Sequence, residues 1–293
     1  MSIAFIETLH KTLNKIVECD SLQDQLKHVE SIEKTTPRLR QRLEVEHELK
    51  QHDVHEQVQY LLSLPHHEQR SEEWFAQRKN KLTSSDIDAV LGNNKYSSAE
   101  EILFKKNGLA RPFTGNEATR HGQKYEDEAI AKYCAMHNKK TFSFGLIPHP
   151  TIEFLAGSPD DITYDGIVVE VKCPLRRKII PGEIPLHYQG QLKMNMEICN
   201  LNHGVFIEYK PKEVFGEEEL NIVHLERDPD WFSDIFPRLE HFWRDVQAYQ
   251  GKIETHPRYE RYYKLANPPL RPMATSSECL CETFEASDSE SDS

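Results

Sequence analysis

No part of the chain constrains its fold more than residues 156–174, where Ala156-Gly157-Ser158-Pro159-Asp160-Asp161 leads through Asp165-Gly166 into Ile167-Val168-Val169-Glu170-Val171-Lys172-Cys173-Pro174. Asp-Gly is the strongest short turn signal, and the run after it is β-branched, so the stretch predicts a β-hairpin with Ile152–Gly157 as its first arm. Strand side chains alternate between faces. Ile167, Val169 and Val171 therefore point one way, to a core. Val168, Glu170 and Lys172 point the other, and Asp160 can be folded back beside them.

That pattern has a chemical reading. Two carboxylates converging at a strand end make an oxygen-rich site for a hard divalent ion, best matched by Mg²⁺ with substrate phosphate completing its shell. A lysine on the same face can hold a water or hydroxide, or offset charge growing on phosphorus. Glu-x-Lys is also common on solvated strands as a surface ion pair of small worth. Val168 on the same face, and Pro159-Asp160 ahead of the turn, favour the site.

Length and composition bound the rest. The 293 residues, 38% hydrophobic and 29% charged, suffice for one large domain or two smaller ones with polar extensions. No apolar run approaches the ~18 residues needed to span a bilayer, and the N-terminus lacks the pattern of a signal peptide. The expectation is an intracellular protein with no membrane partner; cytoplasm and nucleus are not distinguished. Six cysteines lack Cys-x-x-Cys spacing, which reads as free thiols in a reducing compartment. The net charge of −12 opposes nucleic-acid binding at face value. Half of it sits in residues 276–293, which hold six acids and no lysine or arginine, whereas Lys172, Arg176, Arg177 and Lys178 cluster beside the proposed site.

Read in order, residues 3–64 are helical, with Ile6, Leu9, Leu13 and Ile16 at helical spacing, Ser21 capping a second helix, and Thr36-Pro37 opening a third that runs toward Leu64-Pro65. His52, His55, His66 and His67 have no metal-ligand spacing and read as solvated. Ser71 caps a short helix carrying Trp74 and Arg78. Lys81-Leu82-Thr83-Ser84-Ser85 then places hydroxyls and free amides at a helix start, an anion site beside Arg78. Further helices are predicted over Ser98–Asn107, Glu117–His137 (with Glu126), Leu186–Ile198 (with Gln189) and Asp230–Gln250. Strands are predicted over Thr141–Ile147, Gly204–Tyr209 and Glu219–Leu225. The chain beyond Pro257 is Pro-containing, then acidic and Ser-rich, and is expected to be disordered.

The order of motifs from about Arg70 to Gln250 resembles the YqaJ viral recombinase family, the lambda-exonuclease-like branch of the PD-(D/E)XK nucleases. The matching pieces are Glu73-Trp74 with Arg78, Leu82-Thr83-Ser84-Ser85-Asp86, His121-Gly122 with Tyr125-Glu126, Gly157-Ser158-Pro159-Asp160 with Glu170-Val171-Lys172-Cys173-Pro174, and Gln189-Gly190-Gln191 with Met194. The resemblance implies an α/β fold with a restriction-endonuclease-like core, a mixed central sheet flanked by helices. This gives a helical extension over 1–66, a nuclease domain over 67–254 and a disordered tail over 255–293. It also implies Mg²⁺-dependent 5′→3′ removal of nucleotides from double-stranded DNA ends, with two ions and Mn²⁺ able to substitute. Asp160, Glu170, Glu126 and the Val171 carbonyl resemble metal ligands, Lys172 the residue that positions the attacking water, and Gln189 a polar helper. Arg78, Ser85 and Thr83 resemble a pocket for the DNA 5′-phosphate. A homotrimer and a single-strand annealing protein are the implied partners. Asp161 departs from the family's pattern, standing where a glycine commonly follows the first acid.

Two rival readings share these residues. One is an endonuclease, or a nuclease acting on DNA and RNA, built on the same site. The other is a non-catalytic DNA-end-binding scaffold, which the complete acid–acid–lysine set disfavours.

Overall fold

The computed structural model describes residues 51–65, 67, 69–110 and 115–268, together with 45, 48 and 49. The helices expected over residues 3–44, and the acidic stretch from 269 onward, lie outside the described residues. Along the chain the helices are α1 (Glu56–Ser63), α2 (Glu72–Lys79), α3 (Ile87–Val90), α4 (Ala99–Lys106), α5 (Glu117–His137), α6 (Leu186–Cys199), α7 (Lys212–Phe215), α8 (Pro229–Ala248) and α9 (Tyr259–Ala266). The strands are β1 (Leu82–Thr83), β2 (Thr141–Ser143), β3 (Ile147–Pro148), β4 (Leu155–Gly157), β5 (Asp161–Thr163), β6 (Ile167–Lys172), β7 (His203–Lys210) and β8 (Glu219–Glu226).

The main sheet is five-stranded in the order β2-β5-β6-β7-β8, and a three-stranded sheet has the order β1-β4-β3. In the main sheet β6 and β7 run parallel, joined through α6, while the other pairs are antiparallel. A parallel pair needs such a crossover, and its helix covers one face. The other face is covered by α5. Val169 and Val171 of β6 join Val205, Ile207 and Tyr209 of β7 under Tyr125, Ala129, Ile130 and Tyr133 of that helix. On the α6 side, Val168 and Phe206 belong to the larger core with Leu192, Met196 and Cys199. Each such buried aliphatic side chain stabilises the fold by about 1.5–3 kcal/mol. With both faces covered, β6 is a central strand, and Glu170 must live in an interior.

Local sequence explains the helices that frame the site. Asn116 caps α5, its side chain accepting from the Thr119 N–H at 2.8 Å, and the helix ends at Asn138 with φ +49°. In α6, Gly190 is required by contact: a Cβ there would come within 2.6 Å of an Asp88 carboxylate oxygen. Asp88 accepts the N–H groups of Gly190 and Gln191 at 3.2 and 3.1 Å, pinning α6 against α3.

Four expectations are corrected. The first arm of the hairpin is Asp161–Thr163, not Ile152–Gly157: Asp161 pairs with Val169, whereas β4 pairs with β1 and β3 in the other sheet. Pro159, which has no N–H to give a ladder, stands between the two. The single strand expected over Thr141–Ile147 is two short strands, because the chain passes from the main sheet to the smaller one. The third N-terminal helix does not run through to Leu64. Residues 52–55 are non-helical, and α1 starts afresh with the His55 ring accepting from the Gln57 N–H. Its Val58 and Leu61 lie in the main core with Val54, so the last part of the assigned extension is part of the domain. Finally, residues 255–268 of the assigned tail are structured and pack on the domain. Tyr262 of α9 stacks on Phe104 with centroids 4.0 Å apart, and Glu100 receives both the Tyr262 hydroxyl and the Arg258 guanidinium. Aromatic packing wins over a polar local composition here.

Candidate active site

Three elements bring the acids together: the β4–β5 loop, β6 and α5. The β4–β5 loop carries Asp160, whose Oδ2 accepts the Val171 N–H at 2.7 Å. That bond fastens the loop acid to the residue between Glu170 and Lys172. Glu170 is fully buried; one oxygen is ion-paired with Lys172, and the other accepts from Asn195 Nδ2 of α6 at 3.1 Å. Glu126 reaches in from α5 and pairs with Arg70 Nη2 at 3.2 Å. Arg70 itself has φ +69°, a conformation that costs a non-glycine residue energy and tends to mark functional positions. A cavity of about 350 Å³ opens at this point, lined by Arg70, Glu126, Val171, Lys172 and Tyr188 among others.

The electrostatics are those of an acid cluster with too little positive charge. Burial, then the Asp160 charge, pushes Glu170 up to about 8. The same causes in the same order push Glu126 up to about 7. Asp160 is raised by burial, against the pull of Lys172. Lys172 would be lowered by burial, but Glu170 and Asp160 hold it above the ordinary lysine range. The set of hard oxygen donors, whose proton affinity burial raises throughout and the Asp160 charge raises further at Glu170 and Glu126, fits a divalent cation, whose charge would reverse those shifts. Among the described residues, no three histidine, cysteine or acidic side chains stand in ready ligating geometry. Glu170 is instead engaged by Lys172 and Asn195, and Asp160 by the Val171 amide.

Arg78, Thr83 and Ser85 do come together. One Arg78 nitrogen donates to Thr83 Oγ1 at 3.2 Å and to Ser85 Oγ at 2.9 Å, and the guanidinium lies 4.2 Å from the Trp74 ring centroid. Asp86 below is buried, holding Lys105 at 3.2 Å, Lys106 at 2.8 Å and the Thr83 hydroxyl at 2.7 Å. Trp74 Nε1 donates to Ser158 Oγ at 3.1 Å, so this cluster is tied to the loop that carries Asp160.

Gln189 is not among the residues joined to the acids; its amide donates to the Ile184 carbonyl at 2.9 Å. Asn195, six residues later on α6, is the side chain that meets Glu170. Sequence reasoning passed over it, although an amide between the buried Leu192, Met194, Met196 and Ile198 is the kind of interior polar group that demands a partner. Arg70 and Tyr188 were also missed as cavity residues. Asp161 lies on β5, where burial raises it to about 6 and the Thr141 side chain hydrogen-bonds it. It tightens the β2–β5 pairing.

The mixed sheet with helices on both faces, and an aspartate, a glutamate and a lysine meeting at β6, define a PD-(D/E)XK core. Residues 73–202 match the model of the YqaJ-like viral recombinase domain, the family that the motifs resemble. Among solved structures, the chain is similar to LHK-Exo, an alkaline exonuclease from Laribacter hongkongensis. The TM-score is 0.53 at 25% identity, covering 63% of this chain and 96% of that one. The same enzyme in complex with dAMP gives 0.54. Among viral proteins, one from Acanthamoeba polyphaga mimivirus is 31% identical over 185 residues, 56% of this chain and 34% of that one. One from African swine fever virus (strain Badajoz 1971 Vero-adapted) is 24% identical over 171 residues, 48% and 49% of the two. The match thus spans a third to a half of the length of these viral relatives. Among the described residues, no helix is long and apolar enough to cross a membrane.

Proposed function

We propose that this protein is a metal-dependent nuclease that digests double-stranded DNA from its 5′ ends in a recombination setting. The observation that carries the reading is the Asp160–Val171 hydrogen bond, which gathers Asp160, Glu170 and Lys172 at one strand end. The alkaline exonuclease fold and the recombinase domain support it.

In this reading Asp160, Glu170, Glu126 and the Val171 carbonyl hold divalent cations, Mg²⁺ or Mn²⁺. When bound, these supply charge stabilisation at the phosphate oxygens and lower the pKa of the attacking water. Lys172, held in line by Glu170, orients that water toward phosphorus and offsets the charge that gathers on the phosphate oxygens. Asn195 fixes Glu170 so that its remaining lone pairs face the reaction. A P–O bond forms to water oxygen, which gives up a proton to solvent. The bond from phosphorus to the 3′ oxygen of the terminal nucleotide breaks, that oxygen taking a proton from solvent to leave as a hydroxyl. The mononucleotide leaves, and the shortened strand keeps a fresh 5′-phosphate. Arg78 and Ser85 offer a guanidinium and a hydroxyl to that phosphate, while Thr83, whose hydroxyl is donated to Asp86, holds Arg78 in place; each cycle thus regenerates the group that anchors the next.

A time course on linear 5′-phosphorylated duplex and on covalently closed circular duplex, with and without Mg²⁺, tests the proposal. Mg²⁺-dependent mononucleotide release from the linear form alone is expected. Cleavage of the closed circle would replace the exonuclease with an endonuclease, and absence of cleavage from both would end the enzymatic reading.

A further inference from the structure

Three aromatic rings run outward from the cavity in contact with one another. Tyr188, which lines the cavity, sits 5.8 Å from the fully buried Phe206 ring and 4.2 Å from the His187 ring. His187 in turn meets Tyr96 at 5.5 Å, and Tyr96 is 67% exposed. Cations flank the series: Lys172 Nζ and the Arg177 guanidinium lie 5.3 and 5.7 Å from the Tyr188 centroid, and Lys95 Nζ lies 5.0 Å from that of Tyr96. The Nε2 atom of His187 is buried and has no hydrogen-bond partner among the described residues.

A single exposed tyrosine needs no explanation. A buried anchor followed by three rings in series, two half-buried and the last exposed, with cations against the first and the last of them, is a different object. Rings give flat faces on which any base can stack, and the cations follow a phosphate backbone; single-stranded nucleic acid is held by this combination. We propose that Tyr188, His187 and Tyr96 form a stacking platform for unpaired DNA nucleotides adjoining the candidate active site, with Lys95 and Arg177 along their phosphates. The proposal rests on the nuclease reading for the presence of DNA at that cavity.

The test uses the full chain carrying Asp160→Asn, so that DNA is not consumed, and three labelled probes: oligothymidine, an abasic oligomer of equal length, and blunt duplex. Tyr96→Ala and His187→Ala are expected to weaken oligothymidine binding about tenfold or more. Affinity for the abasic oligomer should be unchanged, and Tyr96→Phe should keep the parental affinity. Tyr96 is exposed, so its replacement leaves the core intact, and thermal melts of each variant report folding. Unchanged affinity for oligothymidine, or an equal loss on the abasic probe, would overturn the platform. Mg²⁺-dependent duplex digestion by the unmodified chain separates the two readings. If it digests duplex while the variants bind bases normally, only the platform fails. If it digests nothing while the variants lose base-dependent binding, the platform stands and the nuclease does not.

Discussion

Asp160 reaches the main-chain amide of Val171 at 2.7 Å, and this one contact joins a loop acid to the strand on which Glu170 and Lys172 flank that residue. The strand faces of β6 set Glu170 and Lys172 on one side, but nothing in a strand's own geometry brings in a carboxylate from ten residues earlier. The amide does so.

Replacing Lys172 with alanine, or Asp160 with asparagine, should lower duplex digestion by at least about a thousandfold while DNA binding persists, since charge stabilisation and water activation each carry orders of magnitude. Rates of nucleotide release, with binding measured by anisotropy, check this. Normal digestion by either variant would remove the chemical role of the cluster.

Arg78→Ala should act on one substrate and not another. The guanidinium already spans Thr83 and Ser85, and its loss removes a charge-assisted contact of about 1.5–3 kcal/mol. Initial rates on 5′-phosphorylated ends should fall about ten- to a hundredfold, and rates on 5′-hydroxyl ends should change little. A uniform loss on both would show that Arg78 serves the fold and not a terminal phosphate.

Asn195→Leu leaves one Glu170 oxygen without its donor inside the core. The cost of an unsatisfied buried acceptor is about 1–3 kcal/mol, so both the urea midpoint and the turnover number should drop. Asn195→Asp should be worse, because it sets a second carboxylate against a glutamate already raised by burial and by Asp160. If Asn195→Leu matched the parent in turnover, the amide would have no part in setting Glu170.

Asp86 makes the fold sensitive to acid. Burial alone would raise its pKa, but Lys106, Lys105 and the Thr83 hydroxyl outweigh it and hold the folded-state value well below the ordinary aspartate range. A depressed folded value means the stabilisation is present above the unfolded pKa of about 4 and is lost as pH falls toward the folded one. Asp86→Asn strands the buried Lys106 ammonium and should cost about 3–5 kcal/mol at pH 7. Urea melts at pH 7 and pH 3.5 should show the variant losing less stability between the two than the parent. An identical pH dependence would assign the acid sensitivity to other groups.

Much of this architecture was legible in sequence because the signals were local. The β-branched run of Ile167–Lys172, the capped span Glu117–His137, and the Trp74–Arg78 helix leading into Thr83-Ser84-Ser85 all stand where spacing and capping residues put them. What escaped was decided by contacts distant in sequence. Whether Leu155–Gly157 or Asp161–Thr163 pairs with β6 depends on which sheet offers the partner, and both segments are too short for their own pattern to decide it. Asn195 and Arg70 gain meaning only from Glu170 and Glu126 across the site. The helix Tyr259–Ala266 is held by Phe104 and Glu100, some 160 residues upstream, which no reading of residues 255–293 alone could supply.

The bond from the Trp74 indole to the Ser158 hydroxyl ties the Arg78 cluster to the loop that carries Asp160. If the proposed function holds, a strand end gripped at Arg78 would present to Asp160 a linkage at a distance set by protein and indifferent to base identity. Fragment length would then be a dimension of the scaffold, and loosening the indole should blur the size of what is released before it slows the release.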